Sequence, residues 1–182
     1  QIDQVWPVLA GLKAPAGVYS VLGNHDHWAD TDRSLYWLER SGQNVRGAVK
    51  AIERNGRRVW IAGGGDLWED PISFDRMLNQ VPEDECRIML AHNPDTADSY
   101  FKGRMDLMLA GHTHGGQVAF PFYGAPVLPV QNKNYSRGLV KSHRGDYVFI
   151  SSGIGWSIYP LRFNCFPEIS VLELIAGPAG KP

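Results

Sequence analysis

Leu107-Met108-Leu109-Ala110, running into Gly111-His112-Thr113-His114-Gly115-Gly116-Gln117, is the stretch on which the reading of this chain turns. An uninterrupted apolar run predicts a buried strand, and the glycines after it predict a tight turn. The two histidines lie two apart. In extended backbone, side chains alternate with period two, so His112 and His114 are expected to point to one side and aim both imidazoles at one point. Neutral imidazole is among the commonest metal ligands, and flanking glycines let backbone and ion approach closely. An isolated His-x-His is more often an ordinary surface turn, so its weight depends on what the rest of the chain delivers.

Two other segments follow the same pattern. Val18-Tyr19-Ser20-Val21-Leu22 reads as a short buried strand ending at Gly23-Asn24-His25-Asp26-His27-Trp28, and Cys86 to Ala91 reads as a strand ending at His92-Asn93-Pro94-Asp95. Three apolar strands thus deliver Asn24 and His25, His92, and His112 with His114 at their ends. In open α/β sheets, sites form beyond the carboxyl ends of the strands. A core or capping histidine accounts for any one of these alone, but not for all of them together.

Between these points the elements alternate. Apolar residues at Ile2, Val5, Trp6, Leu9 and Leu12 predict an amphipathic helix. Thr31 or Asp32 is suited to cap a helix over about 33–40, closed by Gly42. Two strands over 45–52 and 57–62 are expected to join at Asn55-Gly56, a dipeptide suited to a tight hairpin. A helix over about 72–78 follows, and Asn93 with Pro94 opens another that is expected to run to Phe101. The Pro-, Gly- and aromatic-rich segment 117–134 reads as an ordered loop over the site. Late strands are expected over 147–151 and 169–175, and 177–182 reads as a flexible tail after a single domain spanning 1–176.

Composition narrows the functional class. With 182 residues, 43% hydrophobic and 20% charged, the chain has the make-up of a soluble globular domain rather than a disordered one. A net charge of -1 and a pI near 6.6 give no electrostatic footprint for a nucleic-acid polymer. Cys86 and Cys165 are the only cysteines and lack C-x-x-C spacing, which argues against a zinc ribbon or a disulfide framework. No apolar run is long enough for a membrane span and no signal peptide is visible, leaving cytoplasmic and membrane-peripheral locations both open. The first residue is Gln1, not Met, as expected for a fragment, a processed product or a trimmed chain.

Gly23-Asn24-His25-Asp26, Ala91-His92-Asn93-Pro94 and Gly111-His112-Thr113-His114 resemble the third, fourth and fifth motifs of the calcineurin-like metallophosphoesterases. The likeness extends from about Ala14 to Ile175. Leu12-Lys13-Ala14-Pro15, the extended motif to Gln117, and Arg162 to Ile169 look most like the YkuE/YaeI-type bacterial branch. The resemblance implies an α/β/β/α sandwich with divalent metal ions, of the Mn, Fe, Zn or Mg class, at the strand ends. It implies that Asn24, His92 and His112 ligate one metal, that His114 ligates a second, and that His25 sits over the substrate phosphoryl group and assists the leaving group. Asp26 is expected either to tune His25 or to cap the turn. Arg162 is expected either to bind a phosphate or to pair with Glu168. The substrates implied are small phosphomonoesters, phosphodiesters or pyrophosphates, including lipid or nucleotide-sugar linked ones.

The match is incomplete at the N-terminus. The family's first two motifs, an Asp-x-His and a Gly-Asp, belong before Asn24, and the 23 residues there hold neither. His114 is then the sole expected ligand of the first metal, while Asn24, His92 and His112 give the second three neutral ligands, so as few as one ion is expected. Gly65-Asp66 comes too late in the order to be the missing acid and reads as a loop turn, with an acid that backs the metal ligands or faces the substrate as the lesser alternative. The absent strands are expected to leave a sheet edge or apolar face open to association between copies. Three readings follow: the major portion of a phosphoesterase, a short hydrolase with one metal, and a non-catalytic metal-binding or interaction module of the same fold.

Overall fold

The computed structural model describes residues 1–99 and 105–175. A six-stranded mixed sheet carries the chain: β1 (Val49–Arg54), β2 (Arg57–Gly63), β3 (Cys86–Leu90), β4 (Leu107–Ala110), β5 (Gly138–Lys141) and β6 (Tyr147–Ile150), in the order β1-β2-β3-β4-β6-β5. The four inner strands run parallel, and the edge strands β1 and β5 pair antiparallel with β2 and β6. Helices α1 (Ile2–Ala10), α2 (Asn24–Ser41) and α3 (Phe74–Leu78) flank it. This is the α/β class expected from the sequence.

Period-two alternation assigns the two faces of the sheet. Ala62, Met89, Met108, Ala110, Val148 and Ile150 turn to one side and pack with Phe74, Met77 and Leu78 of α3. Ile61 and Ile88 turn to the other side, beside Val45, Tyr19, Val21, Leu90, Leu107 and Leu109. A groove of about 430 Å³ lined by Val21, Leu90, Leu109, Phe149 and Leu172 stays open on that second face. Helices α1 and α2 form a separate small core around Trp6, Leu22 and Leu38.

The hairpin turn at Asn55-Gly56 has both residues at positive φ, 54° and 70°, which matches the right-handed twist of the flanking strands. Other expectations need correction. Val18 to Leu22 forms no strand; among the described residues its only strand-type pairing is a bridge from Ser20 to Asn44. The helix expected from 33 begins instead at Asn24, and it is broken at Asp30 (φ -174°, ψ 100°), where Asp30 Oδ1 accepts from Arg33 N at 2.9 Å and restarts the coil. His27, read as a loop residue, lies in the first part of that helix. After Asn93 the chain forms a 3-10 turn, Pro94–Asp98, with Asn93 Oδ1 accepting from Asp95 N. Its expected end at Phe101 and the tail 177–182 lie outside the described residues.

No strand forms over 169–175; these residues are exposed, and no strand among the described residues lies alongside to satisfy their backbone. Strand β5 had no apolar run to announce it. Aromatic residues of the late loops are exposed: Phe122, Tyr123, Trp156 and Tyr159 all face outward. At Phe122 the cause is a tight turn at φ 64°, closed by the bridge between Phe120 and Gly124. No helix among the described residues is long and apolar enough to cross a membrane.

Candidate metal centre

The carboxyl ends of β3 and β4 and the start of α2 meet at one point. His92 follows β3, His112 follows β4, and Asn24 opens α2 directly after Gly23. His92 Nε2 lies 2.8 Å from Asn24 Oδ1 and 3.0 Å from His112 Nδ1. Asn24 is 1% exposed and His112 is 9% exposed. On the far side of its ring, His112 Nε2 lies 2.8 Å from the Pro129 carbonyl. A carbonyl only accepts, so that nitrogen carries the proton and Nδ1 keeps a lone pair facing His92.

Packing enforces this convergence. A Cβ on Gly23 would lie 2.6 Å from His92 Cγ and Nδ1, so the imidazole rests flat on bare backbone. Burial pushes the His92 pKa down to about 4, helped by the neighbouring His112 and opposed by Asp66. Burial likewise lowers His112 and His114. The imidazoles are therefore neutral near pH 7, which is the state a metal ligand needs. One oxygen and two imidazole nitrogens on three separate loops fit a single divalent cation. Among the described residues, no group of three or more His, Cys, Asp and Glu side chains stands close enough to hold an ion by itself, because the third member here is an asparagine.

His114 follows His112 two residues later, in the same turn. The turn after β4 is not extended: His112 has φ 66° and His114 φ 51°, so the period-two expectation for the pair does not hold. His114 Nδ1 is buried with no hydrogen-bond partner. Its carbonyl accepts from Cys165 Sγ at 3.0 Å and from Arg162 Nη1 at 3.4 Å.

Arg162 has a job that neither sequence expectation named. Its guanidinium donates to the carbonyls of Ser152 at 2.7 Å, Gly153 at 3.2 Å, Gly155 at 2.8 Å and Cys165 at 3.3 Å. Fully engaged with backbone, it pins the turn after β6 to the His114 loop instead of facing a phosphate. Glu168, its expected ionic partner, accepts from Ser152 N at 2.9 Å.

His25 is exposed at the mouth of the site, with its ring 4.9 Å from that of Trp28. It directly follows Asn24 in the first turn of α2. Asp26 Oδ2 accepts from Gly23 N at 2.9 Å, the capping role, and burial raises its pKa.

The sequence reading underrated the loop Gly64–Asp70. Trp68 meets the His112 ring edge-on at 4.8 Å and stacks on Trp28 at 6.4 Å, while Trp28 Nε1 donates to Glu69 Oε1 at 2.7 Å. Asp66 is 1% exposed. The glycine run before it was the available signal: a Cβ on Gly65 would lie 1.9 Å from the Asp70 carbonyl, so only glycine lets the loop close this tightly.

Comparison with known proteins agrees with these motifs. The calcineurin-like phosphoesterase family model matches residues 4–116. The phosphodiesterase YaeI of Escherichia coli is 35% identical, over 92% of this chain and 62% of its own length. An uncharacterized metallophosphoesterase of Bacillus subtilis, YkuE, is 32% identical over 93% of this chain and 60% of its own. One from Aquifex aeolicus is 31% identical over 95% and 66%. The chain thus spans about six-tenths of the length of these relatives. No solved structure matches it.

Proposed function

Because the chain belongs to the calcineurin-like phosphoesterases, a family that uses divalent metals, we propose that its protein hydrolyses a phosphoric ester at the Asn24, His92 and His112 cluster. The observation that carries this reading is the approach of Asn24 Oδ1 and His112 Nδ1 to His92 Nε2 at 2.8 and 3.0 Å. These three side chains would hold the cation. When bound, a divalent ion supplies Lewis-acid polarisation of a phosphoryl oxygen and offsets its charge.

The remaining chemistry falls to side chains at the mouth. As a water forms its bond to phosphorus and the ester bond breaks, His25, exposed and next to the cluster, donates a proton to the departing ester oxygen. Asp26, by fixing Gly23 N, holds the first turn of α2 and with it the positions of both Asn24 and His25. Trp68 and Trp28 wall one side of the site and keep water from the flank of His112. The relative named as a phosphodiesterase favours diesters over monoesters as the substrate class.

The test is hydrolysis of p-nitrophenyl phosphate and bis(p-nitrophenyl) phosphate by the chain with manganese, after chelation, and with manganese restored. Turnover that follows the metal and is lost in His112→Ala is expected. Stoichiometric metal binding with no turnover of either ester would overturn the hydrolase reading in favour of a metal-binding module.

A further inference from the structure

Three neutral ligands leave the charge of a divalent cation uncompensated, and in a buried site that is costly. Among the described residues, Asp66 is the one acid with a buried carboxylate oxygen that lacks a hydrogen-bond partner. Its Oδ1 accepts from Trp68 N at 2.9 Å and Glu69 N at 3.0 Å, which accounts for the turn. Its Oδ2 is fully buried and has no hydrogen-bond partner. A carboxylate oxygen in that position is unfavourable unless something positive comes near it.

The surroundings indicate where that positive charge belongs. The loop bearing Asp66 is anchored on both sides: Trp68 packs on the His112 ring, and Asp70 at its far end is ion-paired with Arg46. Asp66 lies two residues from Trp68, whose ring meets His112, one of the two imidazoles that converge on Asn24. Their donor atoms, however, do not gather with it into a group of three. Asp66 therefore stands outside the ligand set.

We propose that Asp66 is a positioning residue of the cation site: its buried carboxylate, acting through Oδ2 from outside the ligand set, supplies the negative charge that Asn24, His92 and His112 lack. This rests on the cation reading of that cluster. It extends the reading to a residue that follows the Asn24 motif in sequence and precedes His92.

Asp66→Asn separates charge from shape. An asparagine oxygen still accepts the Trp68 and Glu69 amides, so the turn survives while the charge goes. Zinc affinity is measured by competition with a chelator for the unaltered chain, Asp66→Asn, Asp66→Ala and His112→Ala, alongside urea unfolding of the zinc-free proteins. Asp66→Asn is expected to bind zinc roughly 10 to 100-fold more weakly. Its zinc-free form should be no less stable than the parent, because an uncompensated buried charge has been removed. Asp66→Ala should lose both zinc affinity and stability. Affinity of Asp66→Asn within twofold of the parent would overturn the proposal while leaving the cation site intact. If the unaltered chain binds no more zinc than His112→Ala, the cation reading itself falls, and the role of Asp66 with it.

Discussion

His92 Nε2 stands 2.8 Å from Asn24 Oδ1 across 68 positions of sequence, and the amide oxygen can only accept. In the cation-free chain the His92 proton must therefore sit on Nε2, whereas a ligand at that nitrogen must have it on Nδ1. Cation binding is coupled to a tautomer exchange. Long-range proton–nitrogen spectra should show the His92 proton moving from Nε2 to Nδ1 as zinc is added. Asn24→Ala should remove the acceptor and weaken zinc binding by at least about tenfold.

Buried neutral imidazoles make the cation-free protein sensitive to acid. The unfolded chain takes up a proton at His92 near pH 6.5, but the folded chain resists until about pH 4. The unfolded state binds more protons in that window, so stability rises with pH and is lost as pH falls. The contribution is complete above about 6.5 and gone below about 4, and is on the order of 3 kcal/mol for His92. Burial lowers His112 and His114 in the same direction. Urea unfolding of chelator-treated protein should show roughly 2 kcal/mol lost from pH 7 to pH 5 through His92, and His92→Ala should flatten the profile.

The sheet and the strand ends that carry His92 and His112 were legible because runs such as Cys86 to Leu90 and Leu107 to Ala110 are buried or half-buried along their length and need no partner information to recognise. The Asn55-Gly56 turn carries its own conformational preference. What stayed hidden depends on distant atoms. Nothing local tells that Arg162 meets the carbonyls of Ser152 to Gly155, or that Trp68 lies against His112. Residues 169–175 have the alternation of a strand, but a strand exists only when a neighbour takes up its hydrogen bonds, and none does so here among the described residues. For the pair His112 and His114, period-two alternation is the wrong guide, because positive φ at both positions makes the turn non-extended.

His25 should matter in proportion to how much help the leaving group needs. A nitrophenolate departs readily without a proton, while an alkoxide does not. His25→Ala is expected to lower turnover of alkyl phosphate esters by about 100-fold or more and that of nitrophenyl esters far less, with zinc affinity unchanged. An equal loss on both ester classes would remove the proton-donor role.

Arg162 holds the carbonyls of Ser152, Gly153, Gly155 and Cys165 in one planar fork. Arg162→Ala should cost roughly 3 kcal/mol, since charged hydrogen bonds are lost and half-buried carbonyls lose their donor. Lysine offers a point charge rather than a fork, so Arg162→Lys should recover little. Hydrogen exchange should quicken across the turn after β6 and the His114 loop in both variants, leaving β1 and β2 protected.

Gly23 gives the sharpest steric test of the cluster. Its φ of -116° is open to any residue, so an alanine there suffers no backbone penalty. The obstacle is the His92 ring, whose nearest atoms would lie 2.6 Å from the new methyl. The ring must tilt or α2 must slide, and either movement parts His92 Nε2 from Asn24 Oδ1. Gly23→Ala is therefore expected to destabilise the fold by only about 1 to 3 kcal/mol. Its zinc affinity should fall as far as that of Asn24→Ala, because the same pair of ligands is pulled apart. Full zinc affinity in a folded Gly23→Ala protein would show that the close seating of His92 is not what brings the three donors together.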